Sequence, residues 1–417
     1  MSEIAENLSE LINNFDPNKA LEGGSAFYVE REDNPTEDLI TFLSEMDNPV
    51  KVLYSGHKGS GKSTELNRLS LDKRITDKFI VVDFSVADEL DIFNVKYIDL
   101  LFSIGARIFQ NTLNLGKKFE SKLLTRLNNW FATSKITEIE TEIGKEKSKG
   151  LEAGISLHFV NLMGSLKLGD TRRETIRSAI EPQLRDLLDI VNSIIEASEI
   201  TVGKSILICI DDIDKLEPGP AEELFYEHGT ALAQPRCSII YTIPIATVCS
   251  PKFGKLSRLF QETYTLPNVT IQENSESRQP KKEGFTIMRK MVERRAKLSL
   301  FDAQALDEVT RLSGGVFREL SRLVRNSAVK AVYSKADKIK TENVQRAASD
   351  IRNDYRRLLT EDQLTRLRTF YERRVLEASE RFQDLLQNLS LLEYRNYENW
   401  CDVNPIVVPL IENNNER

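Results

Sequence analysis

The chain has 417 residues, a formal net charge of −7 and a pI near 5.4, and its length suits two or three domains, each with its own core. This acidic balance provides no overall field that attracts nucleic acid or anionic lipid, so any DNA contact has to be local. Four cysteines without C-x-x-C spacing and three isolated histidines argue against a zinc site and favour reduced thiols. The sequence contains no apolar run of about eighteen residues and no signal core, which favours a cytoplasmic protein without a membrane segment.

The first predicted elements lead into the sheet. Residues 1–24 show weak helical periodicity and end in Gly23-Gly24, so we expect a flexible lead-in. A short extended apolar piece follows at residues 26–31. Asn34-Pro35 then has the composition of a helix start, with Asn34 as the N-cap and proline at the first helical position.

A glycine-rich motif, GHKGSGKST, follows the apolar run 50–54. Its spacing G-x-x-x-x-G-K-[ST] between a strand and a helix is typical of a phosphate cradle, because glycine lets successive backbone N–H groups point inward. Lys62 is predicted to reach the β- and γ-phosphates of ATP, and the Ser63 hydroxyl to ligate Mg²⁺. The predicted nucleotide-binding residues are Gly56, His57, Lys58, Gly59, Ser60, Gly61, Lys62, Ser63 and Thr64. An ordinary surface turn is the alternative.

Aromatic and basic side chains lie just upstream of this motif. Phe27, Tyr28 and Arg31 belong to a segment that is well placed to pack on the nucleotide base. Packing of an N-terminal arm on the sheet edge is an equally good interpretation.

Four further strands are predicted at residues 79–86, 205–212, 237–243 and 262–269. Their apolar centres suit a parallel sheet that is covered on both faces. Strands that alternate with helical stretches, with the cradle after the first strand, predict a doubly wound α/β domain. Ligands of such a domain bind at the carboxyl ends of the strands.

The strand at 205–212 ends in acidic residues, Asp211-Asp212-Ile-Asp214. Beside a phosphate cradle, Asp211 is predicted to hold Mg²⁺ and Asp212 to orient or deprotonate the attacking water. Asp214 and Lys215 are interpreted as helix-capping or inter-subunit groups. Thr242, at the end of the next strand, is a candidate to hydrogen-bond the water or the γ-phosphate. The alternatives are a solvated acidic turn and an ordinary strand threonine.

Helical periodicity extends from residue 284 to 350 and is interrupted at Gly314-Gly315. Arg318 falls on the first turn after this break, where it is positioned to sense the γ-phosphate; a surface arginine is the alternative. Beyond residue 360, two short helices precede a strand-turn-strand pattern within 391–404. This pattern favours a winged-helix module.

The segment between the second and third strands is longer than one crossover helix requires. Residues 91–112 and 171–197 have helical patterns. The alternations at 137–143 and at Ile155, Leu157 and Phe159 predict a protruding β-hairpin on a helical stalk. This insertion, about 113–170, is interpreted either as a partner-binding element or as a decorated surface that closes on its own helices.

The four motifs GHKGSGKST, ICIDDID, a threonine-bearing strand and SGGVFREL resemble those of AAA+ ATPases, in the branch close to replication initiators, and of the related STAND signalling ATPases. The resemblance implies a sheet of order 5-1-4-3-2 and ATP bound at a domain junction. It also implies Walker A at 56–64, Walker B at Asp211 and Asp212, sensor 1 at Thr242 and sensor 2 at Arg318. Many AAA+ members have Asp-Glu in Walker B, so the shorter Asp212 predicts slow turnover.

The predicted organisation is a lead-in at 1–24, an AAA+ domain at 25–275, a helical lid at 276–355 and a winged-helix-like domain at 356–417. The main functional hypothesis is an ATP-dependent switch that signals to protein partners, with bacterial antiviral defence as the setting that the resemblance favours. The alternative is a DNA-associated ATPase of replication-initiator or transposition-regulator type. A homo-oligomer stays open because no arginine finger is recognised, and nucleic acid is not the favoured partner.

Overall fold

The computed structural model describes residues 4–31, 34–133, 150–168, 170–373 and 382–412. Its main sheet consists of parallel strands β1 (Lys51–Gly56), β2 (Phe79–Ser85), β3 (Ser205–Asp211), β4 (Ser238–Pro244) and β5 (Glu262–Leu266). Their order in space is β2-β3-β4-β1-β5. The predicted doubly wound sheet of order 5-1-4-3-2 is therefore confirmed, and so is each of the five strands predicted for this sheet.

Strand β1 lies inside the sheet, between β4 and β5, and all of its residues are buried. Tyr54 pairs with Thr242 on one side and with Tyr264 on the other. Because the strands are parallel, the loops after β1, β3 and β4 leave from the same edge. This topology places the glycine-rich loop beside the acidic residues that follow β3.

Helices cover both faces of the sheet. The helices before β3 are α1 (Leu8–Asn14), α2 (Pro35–Glu45), α3 (Lys62–Leu69), α4 (Lys73–Lys78), α5 (Val86–Glu89), α6 (Tyr97–Asn114), α7 (Ser121–Thr133), α8 (Leu151–Leu168), α9 (Asp170–Ile180) and α10 (Leu184–Val202). Helix α2 begins as predicted, since the Asn34 side chain accepts a hydrogen bond from the Thr36 amide. One face packs on α2, α3 and α4, and the opposite face packs on α6 and on the helices of the insertion.

Short helical segments connect the later strands, and the longer helices follow β5. After β3 come α11 (Pro218–Glu222), α12 (Gly229–Leu232) and α13 (Ile245–Val248), with 3₁₀ turns at Ile213–Lys215, Pro251–Arg258 and Leu298–Leu300 and a π-helical turn at Glu223–Glu227. The lid consists of α14 (Lys282–Glu293), α15 (Ala303–Leu312), α16 (Phe317–Tyr333) and α17 (Thr341–Leu358). None of the helices within the described ranges is long and apolar enough to cross a membrane.

The predicted β-hairpin of the insertion is wrong in its second half. Residues 151–168 form helix α8, and Ile155, Phe159, Leu162 and Leu166 are buried along one side of it. Their spacing of three and four residues is that of a helical face, which the shorter alternation at 155–159 obscures. Phe159 packs against Phe102, Phe109 and Phe131, so this apolar face closes on neighbouring helices. The alternation at 137–143 lies outside the described residues.

The C-terminal part contains α18 (Glu361–Arg373), α19 (Gln383–Gln387), strands β6 (Leu391–Asn396) and β7 (Glu398–Val403), and α20 (Val408–Glu412). Strands β6 and β7 pair as an antiparallel hairpin, as predicted. Helix α17 runs through the predicted border at residue 355, and lid and C-terminal side chains share one hydrophobic cluster. The lid and the C-terminal module are therefore packed together.

Candidate functional site

The glycine-rich loop curves tightly between β1 and α3. Gly59 has φ +88°, and a Cβ atom there would lie 2.3 Å from the Cβ atom of Arg318. Gly61 has φ +106°, and it directly precedes helix α3. A side chain at either position would strain the backbone, and a side chain at Gly59 would displace Arg318 of the lid. The glycines therefore allow both the curvature and the close approach of Arg318.

Lys62 is buried at the first position of α3, and its ammonium group contacts other parts of the site. Its Nζ atom donates hydrogen bonds of 2.8 Å to the carbonyl oxygens of Gly56 and His57. It also lies 2.9 Å from Oδ2 of Asp214. Three acceptors therefore surround the three protons of this ammonium group.

Three carboxylates converge opposite this lysine. Asp211, Asp212 and Asp214 each place an oxygen within 4.8 Å of the others. Burial, followed by the charges of Asp214 and Asp212, raises the pKa of Asp211 to about 6, although a hydrogen bond from Ser63 acts in the opposite direction. Carboxylate and hydroxyl oxygens are the donors that Mg²⁺ prefers, and a cation would relieve this concentration of negative charge. The residues present therefore fit Mg²⁺.

Asp212 is held by two neighbours that the sequence did not indicate. Its Oδ2 accepts a 2.6 Å hydrogen bond from the Ser85 hydroxyl, and its Oδ1 lies 2.6 Å from Nζ of Lys215. Its backbone has φ +69°, an uncommon value for a residue with a side chain. The catalytic role of Asp212 stays a prediction, and the structure shows that its carboxylate is fixed in the cleft.

Thr242 lies at the predicted edge, but beneath the acidic loop. It is fully buried, its hydroxyl accepts from the Ile213 amide at 3.0 Å, and it donates to the Ile210 carbonyl at 3.2 Å. These bonds correspond to the alternative of a strand threonine with satisfied hydrogen bonds. They also fix the backbone on both sides of the acidic pair, and direct contact with phosphate or water stays a prediction.

Arg318 reaches the cleft from the lid, on the predicted first turn of α16. Its backbone N–H donates to the Gly59 carbonyl at 3.1 Å, and its Nε donates to the Pro17 carbonyl at 3.1 Å. The lid, the glycine-rich loop and the N-terminal arm (residues 13–31) thus meet at one residue. Its role as a γ-phosphate sensor stays a prediction.

The two upstream candidates brace the loop from the side of the N-terminal arm. Arg31 is buried and donates to the carbonyl oxygens of Ser60 at 2.7 Å and Pro267 at 2.8 Å. Tyr28 donates through its hydroxyl to Glu65 at 3.2 Å. These contacts match the alternative of arm packing, and contact of either residue with a base stays a prediction.

His57 and Lys58 differ in position although they are neighbours in the motif. Lys58 lines the cleft, and its pKa is lowered by burial, while the carboxylates of Glu217 and Asp214 act in the opposite direction. His57 points away from the cleft and accepts a hydrogen bond from the Glu393 amide at 2.8 Å. The predicted binding residue His57 therefore contributes its backbone to the loop and its ring to the C-terminal hairpin.

Apart from His57 and Thr242, these residues line one large cleft of about 1050 Å³. Its walls come from the N-terminal arm, the glycine-rich loop, the acidic loop after β3 and the start of α16. A cleft of this volume is at the upper end of the range for small-molecule sites. It combines a backbone cradle, cations and clustered carboxylates, which is the donor set for a metal-bound polyphosphate.

Comparisons with known proteins found distant structural neighbours. No protein-family model and no curated protein matches the chain. Cdc6p of Pyrobaculum aerophilum is similar with 12% identity and a TM-score of 0.38, over 96% of this chain and 98% of that one. The ORC2 protein of Aeropyrum pernix, in ADPNP-ADP complexes, has 10% identity and a TM-score of 0.44, over 97% and 98%. The Holliday junction branch migration motor RuvB of Thermotoga maritima has 14% identity and a TM-score of 0.36, over 92% and 95%.

Proposed function

We propose that this protein binds and slowly hydrolyses ATP with Mg²⁺, and that it works as a molecular switch. The observation that carries the proposal is the convergence of Lys62 and Ser63, at the start of α3, with the carboxylates of Asp211, Asp212 and Asp214. A cation, a hydroxyl and clustered acids at the mouth of a glycine-rich loop suit a triphosphate and its metal.

Each residue has a separate task in this proposal. The amides of the loop and the positive end of α3 would hold phosphate oxygens. Lys62 would redirect its N–H hydrogen bonds from Asp214 and the loop carbonyls to these oxygens and keep its protons. Ser63 and Asp211 hold Mg²⁺, which neutralises charge on the phosphates when it is bound. Asp212, fixed by Ser85, accepts the proton of the attacking water. Its short side chain and its ion pair with Lys215 support slow turnover.

A switch requires that the nucleotide holds two parts of the chain in one arrangement. The contact of Arg318 with Gly59 supports this, because the lid already meets the phosphate-binding loop at that point. ATP in the cleft would add contacts to both parts and draw them together. We further propose that partner proteins respond to this arrangement, in a bacterial antiviral or signalling system.

Nucleotide binding and turnover are tested separately. Isothermal titration with Mg·ATP should show binding by the parent protein and none by Lys62→Ala. Asp212→Asn should bind ATP within about threefold of the parent, because the exchange removes a base but keeps the size of the side chain. Its release of phosphate in a coupled assay should fall at least about a hundredfold. Equal hydrolysis by both variants and the parent would contradict the site assignment.

A second candidate, a DNA-associated ATPase, is favoured by one local observation. Burial is the main cause of the lowered pKa of Arg352 in α17, and the charges of Arg356 and Arg311 contribute to it, although Arg311 also pairs with Glu308. Clustered arginines suit phosphate contacts. The sequence also offers a basic run for phosphate contacts, namely Lys281, Lys282, Arg289, Lys290, Arg294, Arg295 and Lys297. This run is less suitable, because Arg295 is buried and hydrogen-bonded to backbone carbonyls, and Lys297 pairs with Glu6.

Fluorescence anisotropy with a labelled DNA duplex distinguishes this candidate from the first. A DNA-associated protein should bind at low salt, lose affinity steeply with added salt, and weaken in the double variant Arg352→Ala, Arg356→Ala. The double variant Lys118→Ala, Lys122→Ala, which also removes two positive charges and lies around the exposed start of α7, is the matched control. Absence of binding at low salt would exclude the DNA-associated function and leave the ATP-dependent switch.

A further inference from the structure

The C-terminal hairpin, formed by β6 and β7, contacts the side of the nucleotide site that faces away from the cleft. Glu393 forms hydrogen bonds with three different loops. Its amide donates to Nε2 of His57 at 2.8 Å, its carbonyl accepts from Asn268 at 3.1 Å, and its carboxylate accepts from Cys249 at 3.4 Å. These loops follow β1, β5 and β4, so one residue of the hairpin joins three exits from the sheet.

Two more contacts connect the C-terminal module with functional loops. The Tyr394 hydroxyl donates to the Gly314 carbonyl at 2.8 Å, in the turn that precedes Arg318. Gln387 donates to the Leu216 carbonyl at 2.7 Å, just beyond the acidic loop. The module therefore contacts the turn before the lid arginine as well as the loop after the carboxylates.

His57 connects Lys62 with the hairpin. Its backbone carbonyl accepts from the ammonium group of Lys62 at 2.8 Å, while its ring accepts from Glu393 at the same distance. The ring is 1% exposed, and burial together with the charge of Lys62 lowers its pKa to about 3. The imidazole is thus neutral near pH 7, and Nε2 is available as the acceptor.

We propose that His57 is a positioning residue that couples the phosphate-binding loop to the C-terminal hairpin. The coupling rests on the proposed function, since it requires Lys62 to exchange the His57 carbonyl for phosphate. In this exchange the His57 carbonyl loses its hydrogen bond from Lys62, so the backbone at His57 shifts. The rigid ring moves with the backbone and displaces the Glu393 amide that is hydrogen-bonded to it. Because coupling is reciprocal, a loosened hairpin also weakens the binding of nucleotide.

The chain allows a direct optical test, because it contains two tryptophans. Trp130 belongs to α7, whereas Trp400 is buried in the hairpin and stacks on Tyr394 with a centroid distance of 4.6 Å. In a Trp130→Phe background, the emission of Trp400 reports on the hairpin alone. Mg·ATP should change this emission with the same midpoint as calorimetric binding.

The test variant is His57→Leu, which removes the ring acceptor. It should bind ATP about three- to tenfold more weakly, the effect of one lost hydrogen bond, and lose most of the Trp400 response. His57→Gln, which offers an acceptor, should restore part of that response. Tyr397→Gly, at the fully exposed tip of the hairpin with φ +61°, is the control and should respond like the parent.

Hydrogen exchange of the amides at 56–61 provides a second measurement that does not depend on ATP. These amides should exchange faster in His57→Leu than in the parent if the hairpin supports the loop. Binding of ATP without a Trp400 response in the parent, or a full response in His57→Leu, would overturn the coupling alone. If the parent binds no ATP, the proposed function fails, and unchanged exchange in His57→Leu would then overturn the coupling as well.

Discussion

The raised pKa of Asp211 predicts that binding of Mg·ATP weakens in mild acid. Burial and the charges of Asp214 and Asp212 raise this pKa to about 6, from an ordinary value of 3.8. The folded carboxyl group therefore takes up a proton near pH 6, so most of it is ionised at pH 7.5 and most of it is protonated at pH 5.0. Because Mg²⁺ needs the carboxylate, apparent affinity should fall about tenfold between these pH values.

Asp214→Asn tests the cause of this shift. The exchange keeps the size of the side chain but removes the charge that contributes most to the shift, so the pKa of Asp211 moves down toward its ordinary range. The affinity ratio between pH 7.5 and 5.0 should then fall below about threefold.

Calorimetric titration of both proteins at the two pH values measures this ratio, and protonation of ATP itself cancels in the comparison. Asp88→Asn, a change of an exposed carboxylate at the rim of the cleft, is the matched control and should behave like the parent. The reasoning is refuted if parent and Asp214→Asn show the same ratio.

Three further predictions concern stability. The pKa of His57 is about 3 in the folded chain, against an ordinary value of 6.5, so the unfolded chain takes up the proton first as the pH falls. The contribution of His57 to the stability of the folded chain is therefore complete above pH 6.5 and is lost as the pH falls toward 3. Urea unfolding should show that the free energy of unfolding of the parent falls by about 2 kcal/mol more between pH 7.5 and pH 5.0 than that of His57→Gln. An equal fall in the two proteins would contradict a buried neutral imidazole. Phe159→Ala should lower the free energy of unfolding by about 3–5 kcal/mol, and Val160→Ala, at an exposed position, by less than about 0.5 kcal/mol. Similar losses in the two variants would contradict the buried face of helix α8. Gly315→Ala should lower the melting temperature far more than Gly24→Ala. Both positions have a left-handed backbone, with φ +76° and φ +77°, but a Cβ atom at Gly315 would lie 1.9 Å from a backbone oxygen, whereas one at Gly24 would meet open space.

The chemical groups of the site were predictable because they lie in short local patterns. The motif at 56–64 and the acids that end β3 are recognised by spacing and by the apolar strands before them. The partners of these groups were not predictable, because they depend on packing between distant parts of the chain. His57 and Glu393 are 336 positions apart. Asp214, interpreted as a capping or inter-subunit group, lies instead 2.9 Å from Lys62.

The fold, too, could be predicted from the sequence only in part. Buried parallel strands were located to within a few residues, since each is a continuous apolar run between helical stretches. In the insertion, Ile155, Leu157 and Phe159 fit an alternating strand over five residues. The spacing from Phe159 to Leu162 and Leu166 fits a helix, and the structure follows this longer pattern. A short window does not distinguish the two periods, whereas a window of eleven or more residues does so.

The ion pair between Lys62 and Asp214 makes the proposed binding step an exchange of partners. Both side chains are almost fully buried, at 4% and 7% exposure, so separation of the pair without replacement would leave an uncompensated charge, at a cost of about 3–5 kcal/mol. A phosphate group compensates Lys62, and a cation compensates Asp214, so neither ligand alone satisfies the site. Nucleotide and Mg²⁺ are therefore expected to bind cooperatively. Since the His57 carbonyl takes part in the same exchange, the hairpin responds to the complete metal-nucleotide pair rather than to either component.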